Sequence, residues 1–537
     1  HYVVVVGWHE RAVVVHDPAR TPYVLMRPAD FERRWAVTDR WMLAVAPAKG
    51  SETPGPETLL RLPGEGAGTE CSALVAEGVQ LAQQKELASA ERVLAGAAFQ
   101  CPGAAPLREL AGVRLLQRRW PEVRDLAARA VEIDAADAHA WRLLATARYI
   151  GGDHGAALDA WNRVDEPTVD LVTVMGLQRT THRSVERFLG IRSGSVLTRD
   201  ESDRAGRRLE ELPAAAMTQL EYVPRASGTA EVRAHVVEKN VVPRGTLTWT
   251  GIGLRAAALR EISASITSLG RGGDRLDGSW RFWPGRPAAS VGLHVPAAFG
   301  VFSLEVLSER QPFSDPLSAD AERVATQARL ADWVNGVFRW EARAGYARWE
   351  QQGRFATIGG ATRFERGRVR IGASLDTWLG ATGFAVGTVQ GGWRSSSHRR
   401  GFVLDVEGTL ETMHRDAPLD LWRAGDTGHA RQTLLRAHPV LDEGRLRVDR
   451  LGRHLAQATA EAQHWWRPAG AIGLGAAAFV DAARTSGRIA GGSRTDIDAG
   501  AGIRLALPGR TGLFRLDVAH GLRDGRNALS VSWTPER

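Results

Sequence analysis

The chain has 537 residues and a formal net charge of +8, with 44% hydrophobic residues. At roughly 150 residues per domain, that length implies three or four domains. Nearly all the positive charge is arginine, with lysine only as Lys49, Lys85 and Lys239. It is dispersed along the chain rather than gathered into a basic patch with interleaved aromatics, which argues against a nucleic-acid partner. Apolar runs such as Val3–Val6 and Ala469–Val480 fall short of the ~18–20 residues of a membrane helix, whereas a spanning β-strand needs only about 9–11. No grouping of residues calls for a metal or a cofactor.

The chain starts at His1 within a strand-like run, so a fragment or processed chain is expected, with any signal peptide upstream. Residues 1–47 read as short strands (Tyr2–Trp8, Ala12–His16, Tyr23–Met26), a helical piece around Ala29–Trp35 and a strand at Trp41–Val45. The phrases His1-Tyr2-Val3-Val4-Val5-Val6-Gly7 and Val15-His16-Asp17-Pro18 resemble the C-terminal half of papain-like cysteine peptidases of the bacteriocin-leader-processing type. That resemblance implies His1 as general base and Asp17 as the group that orients it. The nucleophilic cysteine has no counterpart in this chain, so the segment is expected to be inactive as it stands. His9 and His16 read as surface residues.

Residues 48–69 are rich in proline, glycine and glutamate and read as a linker. From 70 to 167 the period becomes helical and the pattern repeats. Ala90, Val123 and Ala157 align at spacings of 33 and 34 residues. Leu74/Gly78/Leu81, Leu107/Ala111 and Trp141/Ala145 align in the preceding helix of each unit. The pattern resembles the tetratricopeptide repeat, a helical hairpin with small residues where the helices touch, which implies a peptide-binding surface or a rigid spacer. Cys71 opens the first hairpin and Cys101 closes it, so both fall at one end. A disulfide and two separate thiols are both compatible with that spacing.

Residues 168–243 read as β-α-α-β-β, with Thr198 and Glu201 at capping-box spacing before the second helix. The phrase Val185-Glu186-Arg187-Phe188-Leu189-Gly190-Ile191, with Gly-Ser-Val-Leu-Thr after it, resembles a POTRA module. Such modules precede barrels of the outer-membrane protein-transport and surface-antigen superfamily, and are thought to recruit polypeptide by strand addition. Val241-Val242-Pro243-Arg244-Gly245 reads as the lead into the first barrel strand.

Residues 244–537 alternate apolar and polar positions. In the last strands Phe514, Leu516 and Val518 face away from Arg515 and Asp517, and Leu529, Val531 and Trp533 repeat the period. This predicts a transmembrane antiparallel β-barrel of about sixteen strands, apolar outside and polar within. Tryptophans outnumber tyrosines 18 to 5, and Trp280, Trp283, Trp333, Trp340, Trp349, Trp378, Trp393, Trp465 and Trp466 are candidates for interfacial girdles. Leu435-Arg436-Ala437-His438-Pro439 resembles the superfamily's lumenal-loop arginine signature, and Phe479-Val480-Asp481-Ala482-Ala483 its partner strand motif. The resemblance implies an Arg436–Asp481 loop lock, although Ala437, His438 and Ala483 depart from the pattern. Leu529, Val531 and Trp533 resemble the terminal signal read by the barrel-assembly machinery.

The reading that follows is a multidomain chain in the bacterial outer membrane with periplasmic N-terminal domains. Its partners would be membrane lipid, a polypeptide client and the assembly machinery. Two alternatives stand beside it: a barrel-anchored cysteine peptidase and a non-catalytic assembly scaffold.

Overall fold

A computed structural model describes residues 4–9, 12–17, 21–26, 28–36 and 65–242. It also describes 243–537 apart from 243–248, 250–252, 254–255, 257–259, 316–317, 319, 397, 426–434, 439, 467–472, 507–512 and 535–537. His1, the strand expected at Trp41–Val45 and most of the 48–69 linker lie outside the described residues.

Two compact units divide the chain. The first comprises His1–Leu171, Ser193–Arg199 and Tyr222–Glu231; the second comprises Val172–Arg192, Asp200–Glu221 and Val232–Arg537. In the first unit, β1 (Val4–His9), β2 (Ala12–Asp17) and β3 (Thr21–Met26) form an antiparallel sheet in that order. Val13 and Val15 of β2 are fully buried with Phe31 of α1 (Pro28–Ala36). Alternate valines on one strand face reach one core, which is the period-two rule at its simplest.

Six helices follow: α2 (Glu65–Gln83), α3 (Leu87–Gln100), α4 (Ala104–Leu116), α5 (Trp120–Ile133), α6 (Ala138–Ile150) and α7 (His154–Trp161). Their breaks are written locally. Asp137 accepts from the N–H groups of His139 and Ala140, and Asp153 from that of Ala156, capping α6 and α7. Ala90, Val123 and Ala157 are all fully buried, because only a small side chain fits where consecutive helices touch. Cys71 and Cys101 are joined in a disulfide, with Cα atoms 5.9 Å apart.

A small α+β module comes next: β4 (Thr168–Met175), α8 (His182–Leu189), α9 (Arg199–Glu210), β5 (Ala215–Pro224) and β6 (Thr229–Glu238). Its sheet order is β4-β6-β5, so β5 is an edge. Val185, Phe188 and Leu189 of α8 and Leu209 of α9 pack on Val236 of β6.

The remainder is dominated by one sheet of fifteen strands, each antiparallel to its neighbours. It begins with β7 (Glu261–Thr267), β8 (Arg275–Trp283), β9 (Arg286–Ala297), β10 (Gly300–Gln311) and β11 (Ala321–Trp333). It continues through β12 (Phe338–Trp349), β13 (Gly353–Arg366), β14 (Val369–Leu379), β15 (Phe384–Arg394) and β16 (Gly401–Met413). A long connection after β16 carries the two-residue strands β17 (Leu441–Asp442) and β18 (Arg445–Leu446). The sheet then resumes with β19 (Gly452–Trp465), β20 (Gly473–Arg488), β21 (Ser493–Ala506), β22 (Leu513–Gly521) and β23 (Asn527–Thr534).

About sixteen strands were expected, and fifteen lie among the described residues. The expected lead into the first barrel strand, Val241-Val242-Pro243-Arg244-Gly245, lies outside the described residues from Pro243 onward, and among the described residues the sheet starts at Glu261.

The polarity of the two sheet faces is the reverse of that in a soluble core. Val518 is 60% exposed and Leu529 68%, whereas Asp481, Asp498 and Arg504 are each fully buried. The tryptophans divide between the same two faces. Trp280, Trp393 and Trp466 are exposed, but Trp333, Trp349 and Trp465 are buried and are not girdle residues. Their strand parity puts them on the polar face, where each indole N–H finds an acceptor: Glu211 at 3.0 Å, Asp420 at 3.0 Å and Gln463 at 2.8 Å respectively.

Candidate functional site

The connection from β16 to β19 brings residues 435–438 onto the buried face of β19–β22. Leu435 packs with Leu455 and Ala483, and Ala437 with Phe479 and Ala519. These two apolar contacts, on either side of Arg436, seat the segment before any charge is considered.

Arg436 is buried between carboxylates of three strands. Its Nη2 donates to Glu461 Oε2 at 3.0 Å and its Nη1 to Asp517 Oδ2 at 3.5 Å. Its Nε lies 3.1 Å from Asp481 Oδ2, a charge contact without an aligned hydrogen bond. The guanidinium also covers the Phe479 ring, 3.5 Å from its centroid. The expected Arg436–Asp481 neighbours are therefore together, but the aligned hydrogen bonds of Arg436 go to Glu461 and Asp517.

Glu461 is the centre of the cluster. Arg504 donates from Nε to Oε1 at 2.8 Å, and its Nη2 lies 2.8 Å from Oε2; Arg515 donates from Nη2 to Oε2 at 2.5 Å. Arg504 also donates to Asp517 Oδ1 at 2.5 Å. Three guanidiniums thus face three carboxylates, and the buried group is neutral as a whole. Charge-assisted bonds of this kind are worth about 1.5–3 kcal/mol each when formed, and their loss leaves a buried charge uncompensated.

Strand register explains why the loop is held here. Asp481 on β20 stands directly opposite Asp498 on β21, and Arg504 on β21 opposite Arg515 on β22. Like charges in opposite positions repel. The loop relieves the acidic pair: Arg436 approaches Asp481, while the Ala437 N–H donates to Asp498 Oδ2. Space for the cluster comes from glycine. A Cβ at Gly502 would fall 2.0 Å from Asp517 Oδ1, and one at Gly500 would fall 2.5 Å from the Phe479 ring.

His438, the residue where the motif departs from an aromatic, is 1% exposed and surrounded by acid. Its Nδ1 lies 2.5 Å from Asp498 Oδ1, and its Nε2 lies 3.1 Å from Asp524 and 3.6 Å from Asp496. Burial opposes charging of the imidazole, but Asp498 above all, then Asp496 and Asp524, hold it above its ordinary value. Arg450 and Arg494 balance Asp496, and Arg526 balances Asp524.

A second buried network joins the α+β module to the end of β11, the turn after it and the start of β12. Arg208 of α9 donates from Nε to Asp332 Oδ1 at 2.8 Å and from Nη2 to Oδ2 at 2.6 Å, and Arg204 adds a bond at 2.8 Å. Arg339 donates to Glu211 at 2.8 Å, and Arg207 covers Trp333 and donates to the carbonyl of Gly336. Nothing in the sequence flagged this network, because its members are about 120 residues apart and share no motif.

The other expected site residues fall as follows. Leu529 and Val531 lie on the exposed face of β23, and Trp533 pairs in register with Phe514 of β22. Asp17 ends β2, opposite Thr21, while His1 lies outside the described residues. Among the described residues no group of histidine, cysteine and carboxylate side chains could hold a metal ion.

No family model and no curated protein matches the chain. Among solved structures it is similar to BamA from Haemophilus ducreyi lacking POTRA domains 1–3, at 12% identity and a TM-score of 0.41 over 68% of this chain and 82% of that one. It is also similar to CdiB from Escherichia coli, at 11% identity and a TM-score of 0.49 over 69% and 76% of the two chains. CdiB from Acinetobacter baumannii gives 11%, 0.43, 69% and 73% in the same order. Likeness at this level assigns neither a family nor an activity.

Proposed function

We propose that this chain is an outer-membrane β-barrel protein whose N-terminal domains form a periplasmic arm that binds polypeptide, in the manner of protein-translocating or protein-inserting barrels. The observation that carries the membrane reading is the inverted sheet. Fifteen strands, neighbours in one sheet, bury charge on one face and expose aliphatic residues on the other. A face bearing Val291, Ile358, Leu375, Val389, Phe402, Leu410 and Val518 is stable against lipid and an aggregation hazard in water. A sheet that buries its polar face with no second sheet over it among the described residues satisfies itself best by closing into a barrel.

The polypeptide reading is supported by the arm. The edge strand β5 offers backbone groups to an added strand, and the helical hairpins offer a surface of the kind that binds extended chains. The Arg436 cluster then acts as a lock that holds the loop inside the barrel, and the Leu529, Val531 and Trp533 strand serves as the assembly signal.

Refolded protein should co-float with phospholipid vesicles and migrate faster on electrophoresis before boiling than after it. It should also carry current across a planar bilayer. A monomer that stays in the aqueous phase would end the membrane reading. A photo-crosslinker at Met217 on β5 should capture an unfolded outer-membrane protein added from outside the vesicle, and absence of any adduct would end the client reading.

A further inference from the structure

The exposed face near the end of the β16–β21 segment changes character row by row. Taking residues paired across β16, β19, β20 and β21, Gly408, Ala458, Ala482 and Ile497 form an apolar row. The next row is Leu410, Ala456, Arg484 and Thr495, and the next is Thr412, His454, Ser486 and Ser493. Three consecutive rows thus pass from apolar through mixed to wholly polar. Given the membrane reading on which this inference rests, that is the level at which hydrocarbon gives way to headgroups.

A cavity of about 440 Å³ lies across this boundary. Val389, Leu410 and Ala456 line its apolar part, and Thr412, His454, Arg484 and Ser486 its polar part; Glu411 also borders it, but its side chain is buried and takes a hydrogen bond from Arg423 Nε at 2.6 Å. Arg484 differs from the arginines of the buried cluster, each of which faces a carboxylate. It is exposed, and among the described residues it meets no acid; its Nη2 donates to the Ser493 hydroxyl at 3.3 Å. The His454 ring uses Nδ1 for the Thr412 hydroxyl at 2.7 Å, which leaves Nε2 available.

We propose that this cavity is a binding site for a phosphate-bearing lipid, whose acyl chain lies against Val389, Leu410 and Ala456 while Arg484 and His454 hold the headgroup. The chemistry matches on both sides. A guanidinium with free N–H groups takes phosphate oxygens in pairs, and neighbouring hydroxyls complete the headgroup's hydrogen bonds. An apolar recess continuous with the hydrocarbon-facing surface gives the chain a place that a free anion would not use.

The test uses the full chain in phosphatidylcholine vesicles containing spin-labelled phosphatidic acid or spin-labelled phosphatidylcholine. The fraction of motionally restricted label gives the relative affinity of the two lipids. The wild type should prefer phosphatidic acid. Arg484→Ala combined with His454→Ala should lower that preference at least about fivefold, the effect of one cation close to an anionic headgroup. Arg484→Lys should retain most of it. Unchanged electrophoretic mobility before boiling shows that the variants are folded. If the inserted wild type shows no preference, or the folded double variant keeps it, the site is disproved while the membrane reading stands. If the wild type does not insert at all, the membrane reading fails first and the site with it.

Discussion

Replacing Glu461 by glutamine leaves Arg436, Arg504 and Arg515 facing each other across one missing charge. Breaking a buried pair this way costs about 3–5 kcal/mol, so Glu461→Gln should clearly lower the temperature at which the folded electrophoretic form is lost. Asp481→Asn should cost less, because Asp481 touches Arg436 without an aligned hydrogen bond. Equal effects of the two substitutions would contradict this ranking. His438 adds a pH dependence. Its folded value is raised, so its contribution to docking is complete below the ordinary value near 6.5 and is lost as pH rises through the folded value. Tryptic cleavage at Arg436 should therefore increase on the alkaline side, and His438→Phe should abolish that pH step. A step that persists in the phenylalanine variant would assign it to another group. Of this site the sequence showed Arg436 and Asp481, because a short motif carries them. Glu461, Arg504 and Asp517 were not legible, since a charge on one strand says nothing of which charge faces it two strands away.

At the scale of the element, the strands were the most legible part. Period-two alternation marks the strand and its two faces together, so Leu529 and Val531 read as outward before any pairing was known. The helical hairpins were legible for a similar reason: Ala90, Val123 and Ala157 recur at a fixed interval because each sits where two helices touch. The disulfide was not, since spacing leaves Cα separation open; the fold brings Cys71 and Cys101 to 5.9 Å. Their sequence separation is 30, so in the chain-entropy model Cys71→Ser combined with Cys101→Ser should cost roughly 3–4 kcal/mol of hairpin stability, read by thermal melting of the helical signal. An unaltered melt would show that the hairpin stands without the bond. Gly502→Ala tests close approach on β21, where the new methyl would meet Leu516 O at 2.4 Å as well as the Asp517 carboxylate. A loss of about 1–3 kcal/mol is expected, by the same assay as for Glu461→Gln, and a neutral result would mean the strands can part there.

At the scale of the molecule, the Asp332 network governs how the α+β module is held to the sheet. Arg208 and Asp332 are both 3% exposed, so salt screens them little, and Asp332→Asn should release α9 where added salt does not. Trypsin should then cut at Arg204 and Arg208 faster than in the wild type, and identical digestion would place the restraint elsewhere. Alternation, repeat spacing and composition specified which segments become strands, which become helices, and which strand face is apolar, because those properties depend on neighbours a few residues away. The faces of the tryptophans, the company of Arg436 and the clamp on Asp332 were settled only by the fold. They depend on strand register and on loops returning from far along the chain, and a residue cannot record in its own neighbourhood what will be opposite it across a sheet.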